Sequence, residues 1–254
     1  MHDAADGERA LAGIITLSGL RRVSRGRPGR SIQEPDGMSQ TPYVNNMAGQ
    51  TRGVKELVAL AGAHPLSPDC DHFYFLRHGQ TPRNALRIFQ GYDEPLSELG
   101  LEQAALAATV LAGEPIRTIV TSDARRAFDT AHAVAAPHRL TPIAREVLRE
   151  RNFGGLVGTS SADLDWTCAP EGGETLETFI LRTRSALADA LAEPAPVLIV
   201  AHGGTLYVLA ALLGVPIDIG VLGNAQPLRF WRQAPIWRVE ALQAAGDPAQ
   251  AAIA

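Results

Sequence analysis

The sequence predicts an α/β fold: one three-layer α/β/α domain with a mostly parallel sheet and helices on both faces. Three observations carry this reading. From residue 72 onward, short runs rich in β-branched and aromatic residues alternate with longer segments of helical period. One run, Val197–Ala201 (VLIVA), shows no polar alternation, as expected of a parallel strand buried on both faces. With 46% hydrophobic and 20% charged residues in 254, the chain has the balance of a globular protein with a sizeable core.

Residues 1–68 read differently. Residues 21–30 (RRVSRGRPGR) hold five arginines and no acid, and Gly, Pro, Ser, Asn and Gln dominate up to Gly53. This composition predicts a weakly structured, solvated arm. The apolar stretch Leu11–Leu20 is short, and Asp3, Asp6 and Glu8 precede it where a secretory signal would be basic. Met38 and Met47 offer later starts. Residues 53–62 (GVKELVALAG) suit a short helix leading into the main domain over 69–245, with 246–254 as a flexible tail.

Within the domain, His72–Leu76 (HFYFL) is the first strand. Ser97–Ala112 is a helix with Ser97 as N-cap, Leu101, Ala105, Ala108 and Leu111 on one face, and Gly113 as stop. Thr118–Thr121 is a short strand and Ala124–Ala136 a helix closed by Pro137. Thr175–Ala192 is a helix with Leu176, Phe179, Thr183, Leu187 and Leu191 in register, closed by Pro194. Val197–Val215 is nearly all apolar, but His202-Gly203-Gly204-Thr205 divides it. A strand, a glycine turn and a helix fit better than a membrane span. Phe230–Arg232 and Ile236–Leu242 are a candidate terminal pair.

Charge and motif absences narrow the function. A formal net charge of −4 disfavours general nucleic-acid binding. Lys55 is the only lysine, and no Walker-type loop or G-x-G-x-x-G occurs, which excludes the commonest nucleotide fingerprints. Cys70 and Cys168 stand far apart, without C-x-x-C or H-E-x-x-H, so no zinc site is expected. Two free thiols in a reducing cytoplasm is the expected state.

Three polar clusters each follow a strand. Arg77-His78-Gly79 follows His72–Leu76; Thr121-Ser122-Asp123 with Arg125-Arg126 follows Thr118–Thr121; His202-Gly203-Gly204 follows Val197–Ala201. Ligands of open α/β sheets bind outside the carboxyl ends of the strands, so this placement brings Arg77, His78, Arg126 and His202 to one rim. Helix N-termini there favour an anion. Taken singly, each cluster reads equally as an ordinary turn or a solvated helix face. Two histidines also suit a metal, although no Asp or Glu pair converges on them.

In order, the clusters carry a family resemblance. Leu76-Arg77-His78-Gly79-Gln80-Thr81-Pro82-Arg83-Asn84 resembles the L-R-H-G-[EQ]-[ST]-x-x-N signature of the histidine phosphatase superfamily. This is the branch that holds cofactor-dependent phosphoglycerate mutase and its phosphatase relatives. The segment Phe89–Gly100 (FQGYDEPLSELG) is similar to Q-G-x-x-D-x-P-L-[ST]-x-x-G. Residues 121–131 (TSDARRAFDTA) resemble S-[SD]-x-x-R-A-x-x-T-A, and residues 148–154 (LRERNFG) resemble L-x-E-x-x-F-G. Ala201-His202-Gly203-Gly204 is the second histidine motif. The resemblance spans about residues 71–242 and implies a phosphoglycerate mutase-like fold.

The resemblance implies that His78 attacks phosphorus and becomes phosphohistidine, and that Glu150 serves as general acid and then general base. Arg77 and Arg126 would grip phosphate oxygens through their guanidinium forks. His202, when protonated, would add a donor. Asn84, Thr81, Gln90, Gly91 and Gly203 are the expected substrate-binding positions. Without the motif, Glu150 reads as a surface carboxylate paired with Arg149 or Arg151. No cofactor and no metal are expected.

Departures from the pattern favour a phosphatase over a mutase. Gln90 stands where mutases usually carry Ser or Thr, and the segment between Gly158 and His202 lacks the mutases' long insertion with its basic patch. The acid segment Glu150–Gly158 instead resembles the mutase version. The expected function is an acid-type phosphomonoesterase hydrolysing a small phosphorylated metabolite, with no nucleic-acid or membrane partner and a homodimer allowed. A phosphoglycerate mutase-like phosphotransferase is the alternative, and a non-catalytic phosphate-binding module the more distant one. The segment Val157–Glu174, with Trp166, is expected to lid the pocket.

Overall fold

The computed structural model describes residues 52–217 and 222–243. Its six-stranded sheet is built from β1 (His72–Arg77), β2 (Thr118–Ser122), β3 (Ile143–Arg145), β4 (Val197–Ala201), β5 (Pro227–Gln233) and β6 (Ile236–Ala241). The spatial order is β3-β2-β4-β1-β5-β6. The first four strands run parallel, and β5 and β6 add an antiparallel ribbon beside β1. The helices are α1 (Val54–Gly62), α2 (Pro82–Ala85), α3 (Glu98–Leu111), α4 (Arg125–His138), α5 (Leu176–Leu191) and α6 (Gly203–Leu212).

Strand alternation divides the core into two layers, because successive side chains leave opposite faces of the sheet. Phe73, Phe75, Val197 and Ile199 pack with α1, α5 and α6. Tyr74, Leu76, Leu198 and Val200 pack with α3 and α4. All five residues of β4 are buried, as its apolar composition requires between two helical layers. The stretch Val197–Val215 is therefore a strand followed by α6, and among the described residues no helix is long and apolar enough to cross a membrane.

Register sets the site. Arg77 aligns with Ala201 across β1 and β4, and Thr121 aligns with Val200 across β2 and β4. Three strands thus end at one level, where Ser122 closes β2 and His78 and His202 follow β1 and β4.

Several expectations change. Pro137 lies inside the last turn of α4 rather than closing it; the stop is Arg139, whose left-handed conformation (φ 56°) directs its N–H to the Ala135 and Ala136 carbonyls. A proline this close to a helix end costs one hydrogen bond, not the helix. The buried face of α3 is Gly100, Ala104, Ala107, Ala108 and Leu111, whereas Leu101 is 57% exposed and Ala105 also faces out. Small side chains let α3 close on α4, and that contact outweighs the pull of one leucine. The helix at 54–62 does not stand apart from the domain. Val54, Leu57 and Ala61 are buried in the core, Leu66 N–H bonds the Leu212 carbonyl (2.9 Å), and Arg184 bonds the His64 carbonyl (3.0 Å). The boundary expected at residue 69 therefore moves to residue 52 or earlier. The rest of the arm and the 246–254 tail lie outside the described residues.

Candidate active site

His78 sits at the first turn after β1 and is 3% exposed. Its backbone is fixed from three sides: its N–H bonds the Ala201 carbonyl, and its carbonyl accepts from Asn224 Nδ2 (3.0 Å) and the Ala225 N–H. The next residue must be glycine. A Cβ on Gly79 would come 2.5 Å from the Gly100 carbonyl oxygen, so the loop after β1 lies backbone to backbone against the start of α3. Ser97 locks this contact by capping α3 at the Gly100 N–H and donating to the Gln80 carbonyl.

The imidazole is oriented by its own neighbour. His78 Nδ1 lies 2.7 Å from the Gly79 carbonyl oxygen, which can only accept, so Nδ1 carries the proton and Nε2 keeps its lone pair. Burial first, then the charges of Arg126 and Arg77, push the pKa of His78 well below its usual value. The ring is neutral, with Nε2 as its one nitrogen carrying a free lone pair.

Around it stand the other strand-end residues. Arg126 is buried and Arg77 half-buried; each uses one NH group on a carbonyl, Arg77 on Leu222 (2.5 Å) and Arg126 on Gly91 (2.7 Å), and each leaves a buried Nε without a partner. Burial lowers both arginine pKa values, opposed by the nearby Glu150 carboxylate. Orphaned guanidinium N–H groups in a dry site await an oxyanion. His202 is fully buried, with its ring centroid 5.3 Å from that of His78. Ser122 Oγ accepts the Ala124 N–H and lies 2.9 Å from His202 Nε2. His202 Nδ1 is buried and has no partner among the described residues. Burial, Arg126 and His78 hold His202 well below its usual pKa, which favours a neutral ring over the protonated donor that the motif suggested.

Glu150 lies on an irregular loop after β3 and is held by backbone: Oε1 accepts the Arg151 N–H (3.0 Å) and Oε2 the Gly204 N–H at the start of α6 (2.8 Å). Neither neighbouring arginine pairs with it. Arg149 makes a bidentate pair with Asp123 (2.7 and 2.6 Å) and lies over the Tyr92 ring. The Arg151 guanidinium is buried and donates to the carbonyls of Trp166, Cys168 and Glu174, tying the segment 157–174 down beside the site.

A cavity of about 240 Å³ collects these groups: Arg77, His78, Arg126 and Glu150 line it, with Gln90 and Gly203. Not every expected residue reaches it. Thr81 is fully buried; its hydroxyl donates to Gln90 Oε1 (2.6 Å) and caps α2 through the Asn84 N–H, so it orients Gln90 rather than offering a donor to a ligand. Asn84 and Gly91 are not on the cavity wall; Asn84 Oδ1 is buried without a partner, and the Gly91 carbonyl holds Arg126. His202 lies behind the wall, in contact with His78. Sequence reasoning missed Ser122 as a partner of His202, Arg151 as the anchor of the lid, and the apolar wall of Phe89, Phe153 and Tyr207. Ser122 stands inside a quoted motif and was the one signal present. Trp166, expected in the lid, lines the cavity and is 4% exposed. Among the described residues, no group of three or more His, Cys, Asp or Glu side chains is placed to hold a metal ion.

Comparison with known proteins bears on this geometry. The family model of the histidine phosphatase superfamily (branch 1) matches residues 73–224. Glucosyl-3-phosphoglycerate phosphatase of Mycobacterium tuberculosis is 38% identical over 179 residues, spanning 59% of this chain and 80% of that protein. A probable phosphoglycerate mutase of Yersinia pestis is 35% identical over 161 residues, spanning 56% and 75%. Among solved structures, the mycobacterial glucosyl-3-phosphoglycerate phosphatase in complex with VO3 aligns with a TM-score of 0.58 and 33% identity, over 69% of this chain and 100% of that one.

Proposed function

The chain belongs to the histidine phosphatase superfamily, and from that premise we propose that it hydrolyses a small phosphomonoester through a phosphohistidine on His78. The observation that carries the reading is the state of His78: Nδ1–H tied to the Gly79 carbonyl, Nε2 free, and the ring held neutral between two desolvated arginines. The Nε2 lone pair attacks phosphorus in line, forming the P–N bond as the P–O ester bond breaks. Glu150 gives its proton to the departing alkoxide. Water then attacks phosphorus, Glu150 takes the water proton, and the P–N bond breaks to return His78 and release phosphate. Arg77 and Arg126 neutralise and orient the equatorial oxygens throughout, with His202 packed behind the His78 ring. Gln90, its carbonyl held by Thr81, turns its NH2 to the substrate.

Relatives named as phosphatases are 37% and 38% identical to this chain, and a relative named as a probable phosphoglycerate mutase is 35% identical. A mutase must hold its dephosphorylated intermediate for return transfer, which takes contacts remote from the reacting end. Here the cations around the cavity beyond the phosphate cradle are already engaged. Cys70 and Cys168 are both unpaired, which suits a reducing compartment such as the cytoplasm. The test is incubation with 3-phosphoglycerate and 2,3-bisphosphoglycerate, alongside p-nitrophenyl phosphate. Phosphate release with little 2-phosphoglycerate supports the phosphatase. Isomerisation outrunning phosphate release makes it a mutase, and inertness to all three makes it a binding module.

A further inference from the structure

The cavity has two chemically distinct halves. One is the phosphate cradle. The other adjoins Glu150, so it receives the group that leaves with the proton. Its wall is a chain of aromatic rings: Phe89 to Phe153 (centroids 4.6 Å), Phe153 to Trp166 (5.9 Å) and Trp166 to Tyr207 (6.3 Å). Ile88 and Leu164 complete it.

Charge on that half is accounted for residue by residue. Of the described residues, the cations lining the cavity are Arg77, Arg126 and Arg151. Arg77 and Arg126 belong to the phosphate. Arg151 makes four hydrogen bonds to the carbonyls of Glu174, Trp166 and Cys168. Nearby arginines outside the wall are engaged too: Arg149 pairs with Asp123 and Glu146, Arg83 with Glu94 and Arg125 with Asp129, while Arg87 is exposed and bonds the Ala162 carbonyl (2.9 Å). The polar groups left on the wall are neutral, chiefly the Gln90 amide and the hydroxyls of Ser161 and Tyr207. Among the described residues, a second anion in the substrate would lie beside Glu150 with no unengaged cation on the wall to receive it.

We propose that this site selects phosphomonoesters whose alcohol half is uncharged and presents an apolar or aromatic face, and discriminates against substrates bearing a carboxylate or second phosphate there. The inference rests on the phosphatase reading and adds the substrate class. An uncharged alcohol gains by covering the aromatic wall, whereas a carboxylate loses hydration without finding a partner.

The experiment compares kcat/KM for benzyl phosphate, 4-carboxybenzyl phosphate and the methyl ester of the latter, with p-nitrophenyl phosphate as a control. The three benzyl alcohols leave with similar difficulty, and the ester matches the acid in size. The expected result is a loss of at least about tenfold for the acid against its ester, with the ester near benzyl phosphate, since an unpaired charge is costly to dehydrate. Leu164→Arg, which sets a free cation on the lid wall, should raise the acid-to-ester ratio by about tenfold. Should that variant not fold, the three wild-type rates decide alone. An acid turned over as well as its ester overturns the proposal and leaves the phosphatase reading standing. Absence of phosphate release from all four compounds overturns the phosphatase reading itself.

Discussion

Replacing Gly204 by alanine should disable Glu150 while leaving the fold in place. Gly204 is near the start of α6, and its N–H holds Glu150 Oε2 at 2.8 Å. A Cβ there would run into Glu150 Oε1, sit 3.0 Å from its carboxyl carbon and 2.6 Å from Trp166 Cη2. Ordinary contact begins at 3.4 Å, so the carboxyl group, the free end of a flexible side chain, yields first. The required retreat is roughly 1 Å, a misplacement that can cost on the order of 10²-fold in rate. Full loss of general acid catalysis is worth about 10²–10⁴-fold, which bounds the effect. The backbone does not object, because alanine is favoured over glycine in a helix by roughly 0.5–1 kcal/mol, which offsets part of the Trp166 clash. The assay is kcat for an alkyl phosphate and for p-nitrophenyl phosphate under single-turnover conditions, beside a thermal melt. The alkyl phosphate should lose about 10²-fold and p-nitrophenyl phosphate much less, since its leaving group barely needs a proton. Equal losses on both, or an alkyl rate near wild type, would refute the placement of Glu150 as the acid.

Three further outcomes follow from the same geometry. His78 and His202 are held neutral far below the usual histidine pKa, so from about pH 6.5 downward the unfolded chain binds more protons than the folded one. Stability should therefore fall with falling pH, by up to ~1.4 kcal/mol per pH unit for each histidine, and melts between about pH 7 and pH 5 should show a shallower fall in His202→Asn. Arg126→Lys keeps the charge but loses the fork that holds both the Gly91 carbonyl and a phosphate oxygen, so kcat/KM should drop about ten- to a hundredfold, read by phosphate release. A chain beginning at residue 63 loses the buried Val54 and Leu57, each contributing about 1.5–3 kcal/mol, and should melt well below one beginning at residue 52. Equal melting of the two truncations would mean that α1 does not hold the core.

What the sequence disclosed and what it hid divide along physical lines. Arg77, His78, Arg126 and His202 could be placed on one rim because each stands a fixed step beyond a strand, and parallel strands that start together end together. Val197–Ala201 announced itself because a strand buried on both faces has no polar residue to confuse it. Glu150 had no such address. It follows a three-residue edge strand and a short 3₁₀ turn, and what orients it is the N–H of Gly204, 54 residues away. Without the motif, Arg149 and Arg151 beside it suggested ion pairs, yet each is engaged elsewhere by groups distant in sequence. Thr81 looked like a phosphate donor for a similar reason: a hydroxyl's direction is set by its partner, here Gln90, which a linear reading cannot choose. On α3 the expected stripe holds at Ala108 and Leu111 but misses at Leu101 and Ala105, because the rest of the inner face is glycine and alanine, whose value lies in closeness rather than in area.

The central claim is that His78 Nε2 carries the phosphoryl group, and trapping that group tests it most directly. The enzyme is mixed with substrate, quenched in denaturant at alkaline pH, where a phosphoramidate survives, and digested for mass spectrometry. The account predicts phosphate on the peptide containing His78, formed in a burst and absent from His78→Asn, which should also lose several orders of magnitude in kcat as the two-step route disappears. An unmodified His78 in an actively turning-over enzyme, or a His78→Asn variant with near-normal turnover, would contradict it.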